Sequence, residues 1–441
     1  MLFKMSGKWM IYSAILAALL VFLTGCGSAG GGGTDTGAEG KEAESNEPVT
    51  LTLYPQTALS EDQFQNFFVD PLKQKYPNIT LQLLNKTMGT LDQLLAQGTF
   101  PDIVDAGYQF TGTMVQLEAA QDLTDNVKQN KLDLNRFEPA AIDTIKAYAK
   151  NGELLGLPFK MNFGVLYYNK DLFDKFGVPY PQDGMTWDDA LSLARKMTRT
   201  DGGTQFIGLD PTTPALINSA YQQSYVDQKT NKTKFETDGW KKIFGMLQQF
   251  YQIPGFVSGD TYSYGRNAFE KDRTLAMMPD YSIVVDDMEK MQNQGNPLNW
   301  DMVTLPNFPD ALGKGRDTGA HTLFISRLSK HKQEAFEVLA TVTTDPVQQI
   351  INRNGQLTIL KKTDAFKQSF GTDLQALKGK NVAAIFKMTP STIKAPTIYD
   401  QQMAAILGKA ADAVALQQKD INSALRDAAK AGDEAIEAAM K

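Results

Sequence analysis

The side chains that most often carry chemistry are scarce in this chain. Cys26 is its only cysteine, and His321 and His331 are its only histidines. A thiol–histidine pair or a multi-histidine metal site cannot be assembled from that inventory. Carboxylates are plentiful, and two at a suitable separation would suffice for glycoside hydrolysis, so a count of Asp and Glu leaves that chemistry open. Calcium held by carboxylates also stays open, but Asp188-Asp189 and Asp286-Asp287 lack the spacing of an EF-hand loop and read as solvated helix faces. Gly30 to Gly33 is not closed by Gly-Lys-Ser/Thr, so it is no phosphate loop. The expectation is no metal, no cofactor and no catalytic residue.

Cys26 has a different use. It closes the run Leu23-Thr24-Gly25-Cys26 behind an apolar segment, Trp9 to Phe22, that follows Lys4 and Lys8. A basic start, an apolar core and small residues before a thiol make a lipoprotein-type export signal over residues 1–25, with Cys26 as the nucleophile that accepts the lipid. The alternative is an uncleaved membrane helix. Residues 26–48 contain no large apolar side chain before Val49, so they cannot offset the entropy of ordering and read as a flexible tether with a reach of roughly 25 Å. The expected location is outside the cell membrane, lipid-anchored, on the outer surface or the periplasmic side.

The nearly four hundred residues beyond the tether exceed one ordinary core and call for two lobes. A net charge of −6 argues against nucleic acid as a partner. With no second cysteine there are no disulfides, and packing alone must hold the body.

Several elements are legible. Val49 to Tyr54 alternates as a strand; Ser60 caps a helix that carries Phe64, Phe67, Phe68 and Leu72 on one face. Ile79 to Leu83 is a second strand, Leu91 to Ala96 a short helix, and Asp102 to Val104 a third strand. This βαβαβ start predicts a mostly parallel sheet with its ligand crevice at the carboxyl ends of the strands. Thr186 to Asp189 is a capping box that opens a helix with Trp187 in the core, and helices start again near Lys332 and Pro346.

Gly156-Leu157-Pro158, then Leu166-Tyr167-Tyr168-Asn169-Lys170-Asp171-Leu172-Phe173, then Gly177 and Thr186-Trp187-Asp188-Asp189, occur in that order. They are followed by Ala268-Phe269-Glu270-Lys271, by Leu275 to Tyr281, by Trp300 to Pro306 and by Leu323-Phe324-Ile325-Ser326. Ser329 to Ala335 and Thr344-Asp345-Pro346 close the series. The set resembles the bacterial extracellular solute-binding proteins of ABC importers, in the group that includes maltose-binding protein. Two departures are Tyr281, where many members carry Trp, and Lys271-Asp272-Arg273 in place of an Asn-Gly-Lys type of turn.

The resemblance implies an α/β, two-lobed periplasmic-binding-protein-like fold, each lobe a mostly parallel sheet flanked by helices, with hinge crossovers. The N-terminal lobe would comprise residues 49–161 and 318–355, and the C-terminal lobe 162–317 and 356–441. Crossings are expected near Lys160 to Gly164, in Gly313 to Gly319 and near Gly355 to Leu357. A monomer would capture a carbohydrate in the cleft, by aromatic stacking and hydrogen bonds, and deliver it to ABC permease subunits. The candidates for contact are Tyr54, Gln56, Tyr108, Gln109, Asn162 and Phe163 from the first lobe and hinge. From the second lobe and second crossing they are Asp210, Tyr221, Gln222, Asp280, Tyr281 and His321. A rival reading makes Asp210 the start of the turn at Pro211, and Tyr108 and Tyr221 ordinary packed tyrosines. A glycoside hydrolase and a tethered ligand sensor are the rival functions, and Lys314 and Arg316 raise an acidic sugar as one ligand.

Overall fold

The computed structural model describes residues 47–440, apart from 57–58, 108–109, 150, 318, 362 and 392–395. Cys26, the signal and most of the tether lie outside the described residues, as do Tyr108 and Gln109.

The first sheet begins as the alternation predicts. Strands β1 (Val49–Pro55), β2 (Ile79–Leu83) and β3 (Ile103–Gly107) are parallel, in register Val49 to Ile79 and Leu53 to Ile103. The strand His321–Ile325 then lies antiparallel between β3 and β4 (Leu157–Lys160), giving the order β2, β1, β3, His321–Ile325, β4. Ser60 caps the first helix with Gln63 answering it, and Phe64, Phe67, Phe68 and Leu72 are all buried. The helix widens by a π turn at Gln65–Val69, which brings Phe67 and Phe68 inward together. Phe68 packs 5.4 Å from Phe159 of β4, tying helix to sheet.

The second sheet corrects the expectation of parallel strands. β5 (Gly164–Asn169) is flanked by Met277–Tyr281 and Trp300–Thr304, and both run antiparallel to it. Those two outer strands are parallel to each other and are joined through the helix Ile283–Asn293. A βαβ unit is therefore present, but β5 is inserted into its middle from far away in sequence. That pairing reaches across more than a hundred residues, so local alternation cannot show it.

Other local readings hold. Thr186 and Asp189 form the reciprocal capping box of the helix Trp187–Met197, and Trp187 is buried. The helices Lys332–Val342 and Asp345–Arg353 start where the sequence places them. Among the described residues no helix is long and apolar enough to cross a membrane.

One buried amide binds several of these pieces. Gln348 Nε2 donates to Phe159 O and Val342 O, both at 2.8 Å, while its Oε1 accepts from Thr358 Oγ1 at 2.9 Å and Ile359 N at 3.0 Å. All four bonding capacities of the side chain are used, so truncation leaves buried backbone groups without partners. Gln348→Ala is expected to lower the unfolding free energy by about 2–4 kcal/mol, read as a lower urea midpoint with an unchanged slope. An unchanged midpoint would show that the network is dispensable.

Candidate functional site

Strand direction places the ends of both sheets at one cavity. Gly107 and Lys160 are the last residues of β3 and β4, and His321, the first of the antiparallel strand between them, is in register with both. All three line a cavity of about 580 Å³. Tyr281, the last residue of its own strand and in register with Gly164 of β5, lines the same space. The crevice thus opens where parallel strands end, as expected for α/β sheets.

Two helices complete the wall. Thr213 caps the helix Pro214–Tyr221, which contributes Leu216, Asn218 and Ser219, and Gln222 ends it in a left-handed conformation with φ 58°. The helix Asp400–Ala415 contributes Asp400, Gln401 and Ala404. Amides are frequent in the lining: Asn162, Asn218, Gln222, Gln223, Gln356 and Gln401.

Four of the twelve candidates, Asn162, Gln222, Tyr281 and His321, line this cavity. Asn162 Nδ2 lies 3.2 Å from His321 Nε2, and its Oδ1 accepts from Ser282 Oγ at 2.9 Å. Burial and the nearby Lys160 charge lower the His321 pKa, so the ring is neutral at pH 7 and its Nδ1 faces Asp105 Oδ1 at 3.6 Å. With Nε2 as the acceptor from Asn162, the ring proton sits on Nδ1.

The other described candidates are engaged away from the lining. Tyr54 is buried in a small cluster with Leu91, Leu94 and Phe324, and its hydroxyl donates to Gly89 O at 2.7 Å. Gln56 uses its backbone, donating to Asp105 O and accepting from Lys86 Nζ. Phe163 packs edge-on against Phe370. Asp210 organises a turn, accepting from the amides of Thr212, Tyr264 and Gly265, so the rival reading is the one its bonds support. Tyr221 points its hydroxyl at Asp310 and its ring at Phe308. Asp280 accepts from Arg266 Nε at 2.8 Å and steadies a cation that does reach the cavity.

Sequence reasoning passed over Lys160, Arg266, Tyr148, Tyr225, Gln356 and Asp400, all of which line the space. Lys160 had one available signal, as the last residue of a strand at the first expected crossing. Arg316 is legible only as a charge in a glycine-rich stretch. Its Nε donates to Ser219 Oγ at 2.8 Å, and its guanidinium carbon sits 3.7 Å from the centre of the Tyr281 ring. Gly164 makes room for it, since a Cβ there would fall 2.1 Å from Arg316 Cδ. Desolvation pushes the Tyr281 hydroxyl up to about 12, so it remains a neutral donor.

Burial also raises two carboxyls of the wall. Asp286 accepts from Gln356 Nε2 at 3.3 Å and from Gln63 Nε2 at 3.4 Å, and is raised chiefly by desolvation. Asp400 is pushed up to about 6 by burial, against hydrogen bonds from Thr397.

Residues 57–349 match the family described as bacterial extracellular solute-binding protein, well over half of the chain. The sn-glycerol-3-phosphate-binding periplasmic protein UgpB of Shigella dysenteriae is 30% identical over 141 residues, which are 29% of this chain and 32% of that protein. The chain therefore matches about a third of the length of this relative. Among solved structures, the ABC substrate-binding protein Lmo0181 of Listeria monocytogenes, in complex with cycloalternan, aligns with a TM-score of 0.71 at 18% identity. That alignment covers 88% of this chain and 99% of that one. The sugar-binding protein MalE of Xanthomonas citri aligns with a TM-score of 0.67 at 19% identity, covering 89% and 98%. Both share the fold.

Asp400 yields a pH prediction. A carboxyl raised in the folded state holds its proton more tightly than in the unfolded chain, so its contribution to stability is full below about pH 4 and is lost as pH rises through about 6. Asp400→Asn, which still accepts from Thr397, should therefore gain stability relative to the natural protein between pH 5 and pH 7.5 in urea unfolding. Parallel pH profiles would contradict this. With its two sheets ending at one amide-lined cavity, the chain belongs to the bacterial extracellular solute-binding protein family, whose members bind a solute without transforming it.

Proposed function

We propose that the protein is the lipid-anchored capture subunit of an ABC importer and that its solute is a carbohydrate. The observation that carries the reading is the cavity itself: about 580 Å³, within the range of small-molecule sites, with six amide side chains and the rings of Tyr148, Tyr225 and Tyr281 in its wall. Amides offer both a donor and an acceptor, which suits ring hydroxyls, and aromatic faces suit the carbon–hydrogen faces of sugars. The named partners of two similar proteins, cycloalternan and sn-glycerol-3-phosphate, are both rich in hydroxyl groups.

Capture by closure is part of the same reading. Residues 49–161 with 318–355 would move against 162–317 with 356–441, and a solute that touches both walls would favour the closed form. Support comes from the expected crossings, which meet: Met161 and Leu357 exchange backbone hydrogen bonds at 2.8 and 3.1 Å, and the space beside Gly319 is filled by Asn162. Lipid attachment at Cys26 rests on the signal pattern, and delivery to a permease rests on the family.

Calorimetry on the purified protein with mono- and oligosaccharides should give saturable binding without products. Tyr281→Ala should weaken that binding by about 1 kcal/mol or more, roughly fivefold, through lost ring contact and lost support for Arg316. Unchanged affinity would remove Tyr281 from the site, and turnover of the saccharide would favour the hydrolase reading. Cys26→Ala should release a folded protein from the membrane fraction, because the acyl chains supply about 0.8 kcal/mol per buried methylene. Retention in that fraction would mean that an uncleaved helix is the anchor.

A further inference from the structure

The wall of the cavity contains two buried cations, Arg316 and Lys160, that make no ion pair among the described residues. Arg316 is 2% exposed. Its Nε is used by Ser219 Oγ, its Nη2 lies 3.4 Å from Leu216 O, and the Tyr281 ring covers one face. Nη1 is buried as well and has no hydrogen-bond partner. Neither acceptor is a carboxylate, and among the described residues the guanidinium makes no ion pair. Lys160, 3% exposed, lines the same cavity; its ammonium lies 5.7 Å from the centre of the Phe159 ring and makes no hydrogen bond or ion pair among the described residues. Asp105 and Asp286 attract it only from beyond ion-pair distance.

The carboxylates of the lining are differently placed. Asp286 is held by the Gln356 and Gln63 amides, Asp400 by Thr397, and Asp317 by the Gly319 amide at 2.9 Å. Arg266, the third cation, is engaged by Asp280 and, at 3.9 Å, by Asp287. The carboxylates of the lining are thus supplied with donors, while Arg316 and Lys160 line the cavity without a carboxylate partner among the described residues. A buried charged donor left in that condition is costly, and the missing oxygen is most economically brought by the solute. A hydroxyl would complete the hydrogen bond but leave the charge buried; an anionic oxygen answers both, in the stronger charge-assisted form.

We infer that the cavity takes an acidic saccharide, one whose carboxylate or phosphate group sits against Arg316 while Lys160 supplies a second positive charge to the same solute. The inference rests on the carbohydrate-capture reading and adds the charge of the ligand to it. Arg316 is then the residue that selects acidic over neutral sugars, and Gly164 and Tyr281 are the residues that position it.

Calorimetry on the full chain tests this with matched probes: digalacturonate against galactobiose for a carboxylate, and glucose 6-phosphate against glucose for a phosphate. In at least one arm the acidic probe should bind tenfold or more tightly than its neutral counterpart, and the arm that responds identifies the source of the anion. Neutral probes that bind as well as or better than both acidic ones overturn the inference and leave carbohydrate capture standing. Failure of all four overturns both. Arg316→Gln should reduce the acidic-to-neutral preference at least tenfold, with folding checked by thermal denaturation. If that variant does not fold, Lys160→Met decides, since it should reduce the preference and flatten its dependence on salt. A preference that persists undiminished in the folded variants contradicts the assignment.

Discussion

Polar groups that leave water at the junction of the two sheets have to find partners inside the protein, and Asn162 is where that demand concentrates. It follows directly on Met161, whose backbone pairs with Leu357, and its amide spans His321 of the first sheet and Ser282 beside the second. Glycine suits the position opposite, because Gly319 has φ 47° and a Cβ there would press on Asn162 Cβ at 3.0 Å. Four chain segments, at Met161-Asn162, Ser282, Gly319 to His321 and Leu357, are thereby held at one point. The cavity lies beside that point, and its polarity follows from the same requirement.

The electrostatics of the wall follow from burial. Removing Lys160 and His321 from water lowers their pKa values, and removing Asp286 and Asp400 raises theirs, so each group is drawn toward its neutral form. Arg316 has no carboxylate partner among the described residues. The protein instead surrounds it with a hydroxyl, a carbonyl and a tyrosine face, a shell that solvates the group without neutralising it.

Much of the fold is legible in the sequence because it is local. The alternation of Val49 to Tyr54, the Ser60 and Thr186 caps and the spacing of Phe64, Phe67, Phe68 and Leu72 each depend on neighbours within a few residues, and each appears where expected. The insertion of β5 between Met277–Tyr281 and Trp300–Thr304 is a pairing over more than a hundred residues, and no local pattern reports it. The cavity was legible in part. Tyr281 closes an apolar run, and Asn162 and His321 stand at or beside crossings that the family resemblance implies. Asp210 and Tyr221 also follow or end elements, but their side chains turn toward local partners. Tyr148, Tyr225 and Asp400 reach the cavity only through tertiary packing of helices and loops.

The proposed seat of the solute lies between the carboxyl ends of the first sheet and the Tyr281–Arg316 pair. A crystal structure of the protein with a bound saccharide addresses it most directly. The expected result is solute density enclosed by Lys160 and His321 on one side and by Tyr281 and Arg316 on the other, with an anionic group of the solute against Arg316. Density seated elsewhere on the protein, with this cavity holding only water, would contradict it.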